Sequence, residues 1–145
     1  MGYVSWHNYG YGICTDSLDI SSVEQITALL DAAPCLKKRM AEWLESEKIQ
    51  NPTVEDYLEY DQAGNYGIAT ILAEAIQEVE GIIFTACNDY DGKNYLIYQP
   101  SYPWYLRENE RDITEEQIEQ ILRKYVSLLV ETELDIDYQE VENGG

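Results

Sequence analysis

Ile82-Ile83-Phe84-Thr85-Ala86-Cys87 and Tyr95-Leu96-Ile97-Tyr98, with Asp91-Gly92 between them, decide the fold class. Both runs are short and rich in β-branched and aromatic residues. An Asp-Gly pair between such runs readily takes the positive φ that a tight turn needs, so the segment predicts a β-hairpin. Unbroken apolarity over 82–84 predicts burial on both faces and a central place in a sheet. The turn also resembles a calcium loop, but only superficially. With Gly92 at the sixth position, Cys87 and Tyr98 fall at the first and twelfth, where an EF-hand needs oxygen ligands.

Upstream of the hairpin the periodicity is helical. Ser21 with Glu24, or Ser22 with Gln25, forms a capping box before a helix whose Ile26, Leu29 and Leu30 share a face. Pro34 opens a second helix to about Lys48, with Leu36, Met40, Trp43 and Leu44 on one side. Asn51-Pro52-Thr53 leads into a short third helix holding Tyr57 and Leu58. After the turn Ala63-Gly64-Asn65, a fourth helix carries the stripe Ile68, Ile71, Leu72, Ala75, Ile76 and Val79, and Gly81 is placed to end it. The N-terminal segment from Tyr3 to Cys14 suits a strand bent at Gly10 and Gly12.

Downstream, Pro100 to Trp104 reads as a rigid aromatic loop. Thr114 and Gln117 make a capping box, with Ile113 and Ile118 at the staple positions, and Ile118, Ile121, Leu122, Tyr125 and Leu129 predict a buried helix face. Residues 134–141 alternate as a final strand, and 143–145 are expected to fray. Strands and helices are segregated along the chain. The expected fold is α+β and a single domain over 1–145. A small antiparallel sheet of N-terminal strand, 82–87/95–98 hairpin and C-terminal strand packs with about five helices.

Charge bounds the partners. The chain has 28 Asp and Glu against 9 Lys and Arg, a net charge of −19 over 145 residues. No basic residue lies between Lys48 and Lys93, and none follows Lys124. Such a field repels nucleic acid and anionic membranes and attracts basic protein surfaces. Neither direct nucleic-acid binding nor membrane binding is therefore expected. Hydrophobic residues make up 45% of the chain, enough for a core, so the acidity does not signal disorder. The N-terminus lacks the basic start and apolar middle of a signal peptide, which points to the cytoplasm.

Catalytic and metal chemistry find little support. Cys14, Cys35 and Cys87 fit no disulfide framework or zinc spacing and read as small buried residues. His7 is the only histidine. Gly10-Tyr11-Gly12 lacks the context and lysine of a phosphate loop. No enzyme activity, cofactor or metal is expected.

Three groups of residues are candidates for partner binding. Glu131, Glu133, Asp135 and Asp137 are two apart, so an extended chain would line them along one face at about 6.6–6.8 Å, with Leu134, Ile136 and Tyr138 turned to the core. A regular line of negative charge is similar to a nucleic-acid backbone; it would also guard an edge strand against aggregation. Glu108, Glu110, Asp112, Glu115, Glu116 and Glu119 crowd the entrance to the last helix, where acids also favour the helix dipole; of these Glu108, Glu110, Glu115 and Glu116 are the candidates for partner contact. Trp6, Tyr9 and Tyr11 form one aromatic group near glycines, and Tyr102 and Trp104 another near prolines. Trp and Tyr anchor interfaces, though they also cover cores. Thirteen Tyr against one Phe favours rings that keep a hydroxyl in contact with water or a partner.

Small size, extreme acidity, no catalytic motif and exposed-type aromatics together resemble the small acidic inhibitors of phages and mobile elements, the anti-CRISPR and nucleic-acid-mimic proteins. The resemblance is one of class, carried by composition and by the row from Glu131 to Asp137. It implies an inhibitor that sits on a basic, nucleic-acid-binding surface of a defence nuclease. An immunity protein neutralising a basic toxin, or a nucleotide- or small-ligand-binding module with an aromatic pocket, are the alternative readings.

Overall fold

The computed structural model describes residues 5–60, 66–99 and 114–144, with side chains from residue 9 to residue 142 within those spans. Strand β1 (Ser5–Cys14) is followed by helices α1 (Val23–Asp31), α2 (Pro34–Ser46), α3 (Val54–Leu58) and α4 (Ile68–Glu80). The hairpin β2 (Thr85–Asn88) and β3 (Asn94–Tyr98), helix α5 (Glu115–Leu129) and strand β4 (Asp137–Gly144) complete the order. The fold is α+β, as expected. The four strands form one antiparallel sheet in the order β2-β3-β1-β4.

Local chemistry accounts for most element ends. Ser22 with Gln25, Thr53 with Asp56, and Thr114 with Gln117 form complete capping boxes. Gly81 ends α4 in the left-handed region at φ 72°, which a residue without Cβ adopts at little cost. Helix α2 is different. Its cap position is Ala33, which offers no side-chain acceptor. Instead Glu78 of α4 accepts from the N–H groups of Cys35 at 2.9 Å and Leu36 at 2.7 Å, so a carboxylate from another helix satisfies two orphan donors.

One face of the sheet packs on α4 and α5; α1 meets α5 and α2, and α2 meets α4. Tyr11, Ile13 and Leu96 from the sheet join Ile26, Leu36, Ile71, Leu122 and Tyr125 in the main core. Cys87, Ile97 and Val141 form a second, small cluster with Tyr95. Gly10 and Gly12 explain how the sheet folds. A Cβ at Gly12 would lie 2.0 Å from the Leu96 carbonyl oxygen, and one at Gly10 2.4 Å from that of Tyr98. Only glycine lets β1 press so closely on β3. The hairpin then folds toward β4, where the Tyr90 N–H donates to the Glu142 carbonyl at 3.1 Å.

Several expectations are corrected. Residues 82–84 precede the strand, and β2 is an edge strand, not a central one. Ile83 is 67% exposed, whereas Phe84 is buried with its ring edge-on to Tyr98. The unbroken apolar run thus came from a chain crossing the core margin after the Gly81 turn. The centre of the sheet is held by β3 and β1. The last strand starts at Asp137 rather than 134 and runs to Gly144, because Asn143 and Gly144 pair with Trp6 and Ser5; the expected fraying at 143–144 is not seen. Val79 is 45% exposed, off the buried stripe of α4. Of the cysteines only Cys87 is buried; Cys14 is intermediate and Cys35, in the first turn of α2, is exposed. The turn at 63–65, the loop at 100–104 and Ile113 lie outside the described residues. No helix among the described residues is long and apolar enough to cross a membrane.

Candidate functional site

The pairing of β1 with β4 builds the candidate surface. Tyr11 lies opposite Tyr138 and Tyr9 opposite Glu140. Directly paired residues point to the same side of a sheet, and positions two apart along a strand share that side, so Tyr9, Tyr11, Tyr138 and Glu140 form one cluster. The rings of Tyr9 and Tyr138 stack, 5.6 Å between centroids and 8° between planes. Tyr11 meets Tyr138 edge-on at 4.9 Å.

Helix α5 supplies the acids. The Tyr11 hydroxyl donates to Glu119 Oε1 at 2.6 Å, and the Tyr138 hydroxyl donates to Glu115. These residues are one helical turn apart on α5, and each carboxylate anchors one ring. Tyr11 is buried, but Tyr9 and Tyr138 keep 51% and 46% of their surface exposed. The sheet face covered by helices near Ile13 and Leu96 therefore emerges as an open tyrosine pair bordered by carboxylates.

The field at the cluster is negative. The hydrogen bond to Glu119, then burial, then the charges of Glu119, Glu115 and Asp137 push the Tyr11 hydroxyl up to about 12. The Tyr138 hydroxyl is raised first by its bond to Glu115, then by burial and the charges of Glu115, Tyr9 and Asp137. Both hydroxyls stay protonated at neutral pH and serve as donors to charged acceptors.

The acidic row precedes Tyr138 in the chain but faces the other way, since Asp137 pairs with Gly12 and Asp135 lies near Cys14 and Gln139. Glu131, Glu133, Asp135 and Asp137 are all exposed, while Leu134 and Ile136 between them are partly buried against the main core. The inside–outside alternation thus holds, although only Asp137 belongs to the paired strand. Tyr138 keeps to the same face as Leu134 and Ile136, opposite Tyr11, but lies beyond the cover of the helices. The expected core residue is an exposed ring. Its hydroxyl finds a carboxylate and its face finds Tyr9, so it is satisfied without entering the core.

Not every candidate residue joins this surface. Tyr9, Tyr11 and Glu115 come together around Tyr138; Asp137, paired with Gly12, belongs to the opposite face and accepts from the Tyr138 N–H. Glu116 is exposed in the first turn of α5. Trp6 lies in β1 opposite Asn143, and its side chain is outside the described set. Glu108, Glu110, Asp112, Tyr102 and Trp104 lie outside the described residues. Sequence reading places Tyr138 in the core and names Glu119 only as one of the acids at the entrance to α5, with no link to Tyr11. The pairing of residues 11 and 138 carries no local signal, and only that pairing brings α5 to the two rings.

A second feature has mixed charge. Lys38, Arg39, Glu42, Glu74 and Glu78 line a groove of about 610 Å³ between α2 and α4. Glu78 is already committed to the α2 N-terminus. On the other side of the sheet Cys14 borders a cavity of about 290 Å³ with Lys93, Tyr95, Asp135 and Gln139. His7 and Cys14 are seven residues apart on β1, in register with Glu142 and Tyr95, and the extended backbone separates them. Comparisons with protein families, curated proteins and solved structures found no match, so the functional reading rests on the geometry of this chain.

Proposed function

We propose that this protein is an acidic inhibitor that covers a basic, nucleic-acid-binding surface of another protein, in the manner of anti-CRISPR and other nucleic-acid-mimic proteins. The observation that carries the reading is the run of exposed carboxylates at 131, 133, 135 and 137 on a chain of net charge −19, with the exposed Tyr9–Tyr138 pair on the opposite face of the same strand region. Carboxylates stand in for phosphates and offer charge-assisted hydrogen bonds to Lys and Arg. The rings supply apolar area that water-exposed acids cannot. A defence nuclease with a guide- or target-strand channel is the natural partner class.

Charge reversal tests the reading. Glu133→Lys with Asp135→Lys should weaken binding to a basic nuclease by at least tenfold and leave the melting curve nearly unchanged, since exposed substitutions shift stability by less than about 0.5 kcal/mol. Glu24→Lys with Glu45→Lys is the matched control, because both acids are exposed and remote in sequence from the row. Asp31 is a poorer choice, being held by Lys37 at 2.6 Å. Equal losses from the two pairs would show that net charge alone governs binding. Competition by added nucleic acid distinguishes mimicry from an immunity protein's blockade elsewhere on a basic toxin. A complex indifferent to nucleic acid would overturn the mimic.

A further inference from the structure

The geometry points to the Tyr9–Tyr138 pair as a receptor for an arginine side chain of the partner protein, in preference to lysine. The inference deepens the proposed inhibition of a basic surface and rests on it. It adds a specific contact to what is otherwise a general attraction.

Three observations support arginine. First, the two rings stack on each other and remain about half exposed, so aromatic surface lies open to solvent and not in a closed cavity. A planar guanidinium lies over such a surface; a compact, strongly hydrated ammonium does so less well. Second, this surface is bordered by acids. Glu115 and Glu119 receive the hydroxyls of Tyr138 and Tyr11, and Glu140 is exposed and in register with Tyr9. A guanidinium on the rings would carry five donors toward this border. Third, the rings are already fixed. Tyr11 buttresses Tyr138 edge-on from the core, the Tyr138 hydroxyl is anchored to α5, and Tyr9 stacks on that fixed ring, so little side-chain entropy is lost on binding. The same ring of carboxylates disfavours a nucleotide. A base could stack, but its phosphate would meet the acids.

The test uses the full-length protein and two probes, octa-arginine and octa-lysine peptides, titrated at equal low salt. The arginine peptide should bind about two- to fivefold tighter, the range expected of one exposed cation–aromatic contact. Tyr9→Leu with Tyr138→Leu should bring the ratio close to one while lysine-peptide binding persists. Tyr9→Phe with Tyr138→Phe keeps the ring faces and should keep a preference for arginine. If the leucine pair unfolds, ring-current shifts settle the question in the unsubstituted protein. Arginine side-chain protons should move upfield on binding. Equal affinities for the two peptides, a preference that survives the leucine pair, or no upfield shift would each overturn the arginine receptor. Tight binding of a thymidine oligonucleotide at these rings would overturn it too. Failure here is separable from failure of the inhibitor reading. Equal peptide binding that Glu133→Lys with Asp135→Lys abolishes would remove the arginine receptor and leave the acidic row in place.

Discussion

Gly12 and Gly81 are both glycine for a physical reason, but the reasons differ. At Gly12 the constraint is space, with the Leu96 carbonyl oxygen 2.0 Å from a built Cβ. At Gly81 nothing lies within 4 Å, and the constraint is φ 72° alone. Gly12→Ala should therefore cost about 3 kcal/mol or more, since backbone must move. Gly81→Ala should cost only about 1 kcal/mol, the strain of one left-handed residue. Chemical denaturation of both variants checks the order; equal losses would contradict it. Glu80 provides a pH-dependent case. It accepts from the Tyr125 hydroxyl at 2.6 Å and from Lys124 Nζ at 3.0 Å, and those bonds hold its carboxyl below its ordinary value of 4.5. A depressed folded-state pKa gives stability that is present above 4.5 and lost as pH falls through the folded value. Glu80→Gln should lower the melting temperature at pH 7, and the gap from the parent should shrink as pH falls below 4.5. A gap of constant size would exclude the ionised carboxylate as its cause.

At the scale of elements, α2 depends on α4 for its first turn. Its own sequence supplies Pro34 at the first position but Ala33 at the cap. The Glu78 carboxylate takes the role that Ser22, Thr53 and Thr114 play for their own helices. Glu78→Ala should cost about 1–2 kcal/mol, the scale of a lost cap plus a lost charge at the helix N-terminus. Glu78→Gln keeps one acceptor oxygen and should cost less. Urea unfolding of the two variants checks this, and a loss within error for the alanine variant would show that water replaces the cap. The acidic row makes a related point about elements. Its inside–outside alternation begins before β4 pairs, because Leu134 and Ile136 find the core without a ladder.

Across the molecule, the −19 charge should make folding and partner binding respond to salt in opposite directions. Screening shrinks from about 10 Å at 0.1 M to about 3 Å at 1 M. Self-repulsion then weakens, so the melting temperature should rise with salt while affinity for a basic partner falls. A melting temperature that falls with salt would show that local ion pairs outweigh repulsion. The alkaline limit is set by tyrosines. Tyr11 and Tyr95 are pushed up to about 12, the first mainly by its bond to Glu119 and the second mainly by burial; Tyr60, Tyr125 and Tyr138 are also raised. A raised folded-state pKa gives stability that is full below the unfolded value of 10 and is lost as pH climbs through the folded value. Unfolding and tyrosinate absorbance should rise together between about pH 10 and 12. Early, non-cooperative titration of these rings would refute the arrangement.

The cap at Thr114, the stop at Gly81, the hairpin turn and the apolar faces of α1 and α5 were legible in the sequence, because each is decided within a few residues by backbone hydrogen bonding or by periodicity. The first cap was narrowed only to Ser21 or Ser22, and the Thr53–Asp56 box was not read. The α+β class followed from their order. The acidity, too, belongs to composition alone. What the sequence left open depended on partners distant in the chain. Nothing local distinguishes an apolar run that crosses the core margin, as at 82–84, from one buried on both faces. Nothing in residues 134–138 announces that the helices cover Leu134 and Ile136 but leave Tyr138, on the same face, open to meet Tyr9 and Glu115. The tertiary structure decided these points, through the register of β1 against β4 and the close approach that Gly10 and Gly12 permit between β1 and β3. Register couples residues more than a hundred positions apart, and its choice rests on summed packing that no short window of sequence contains.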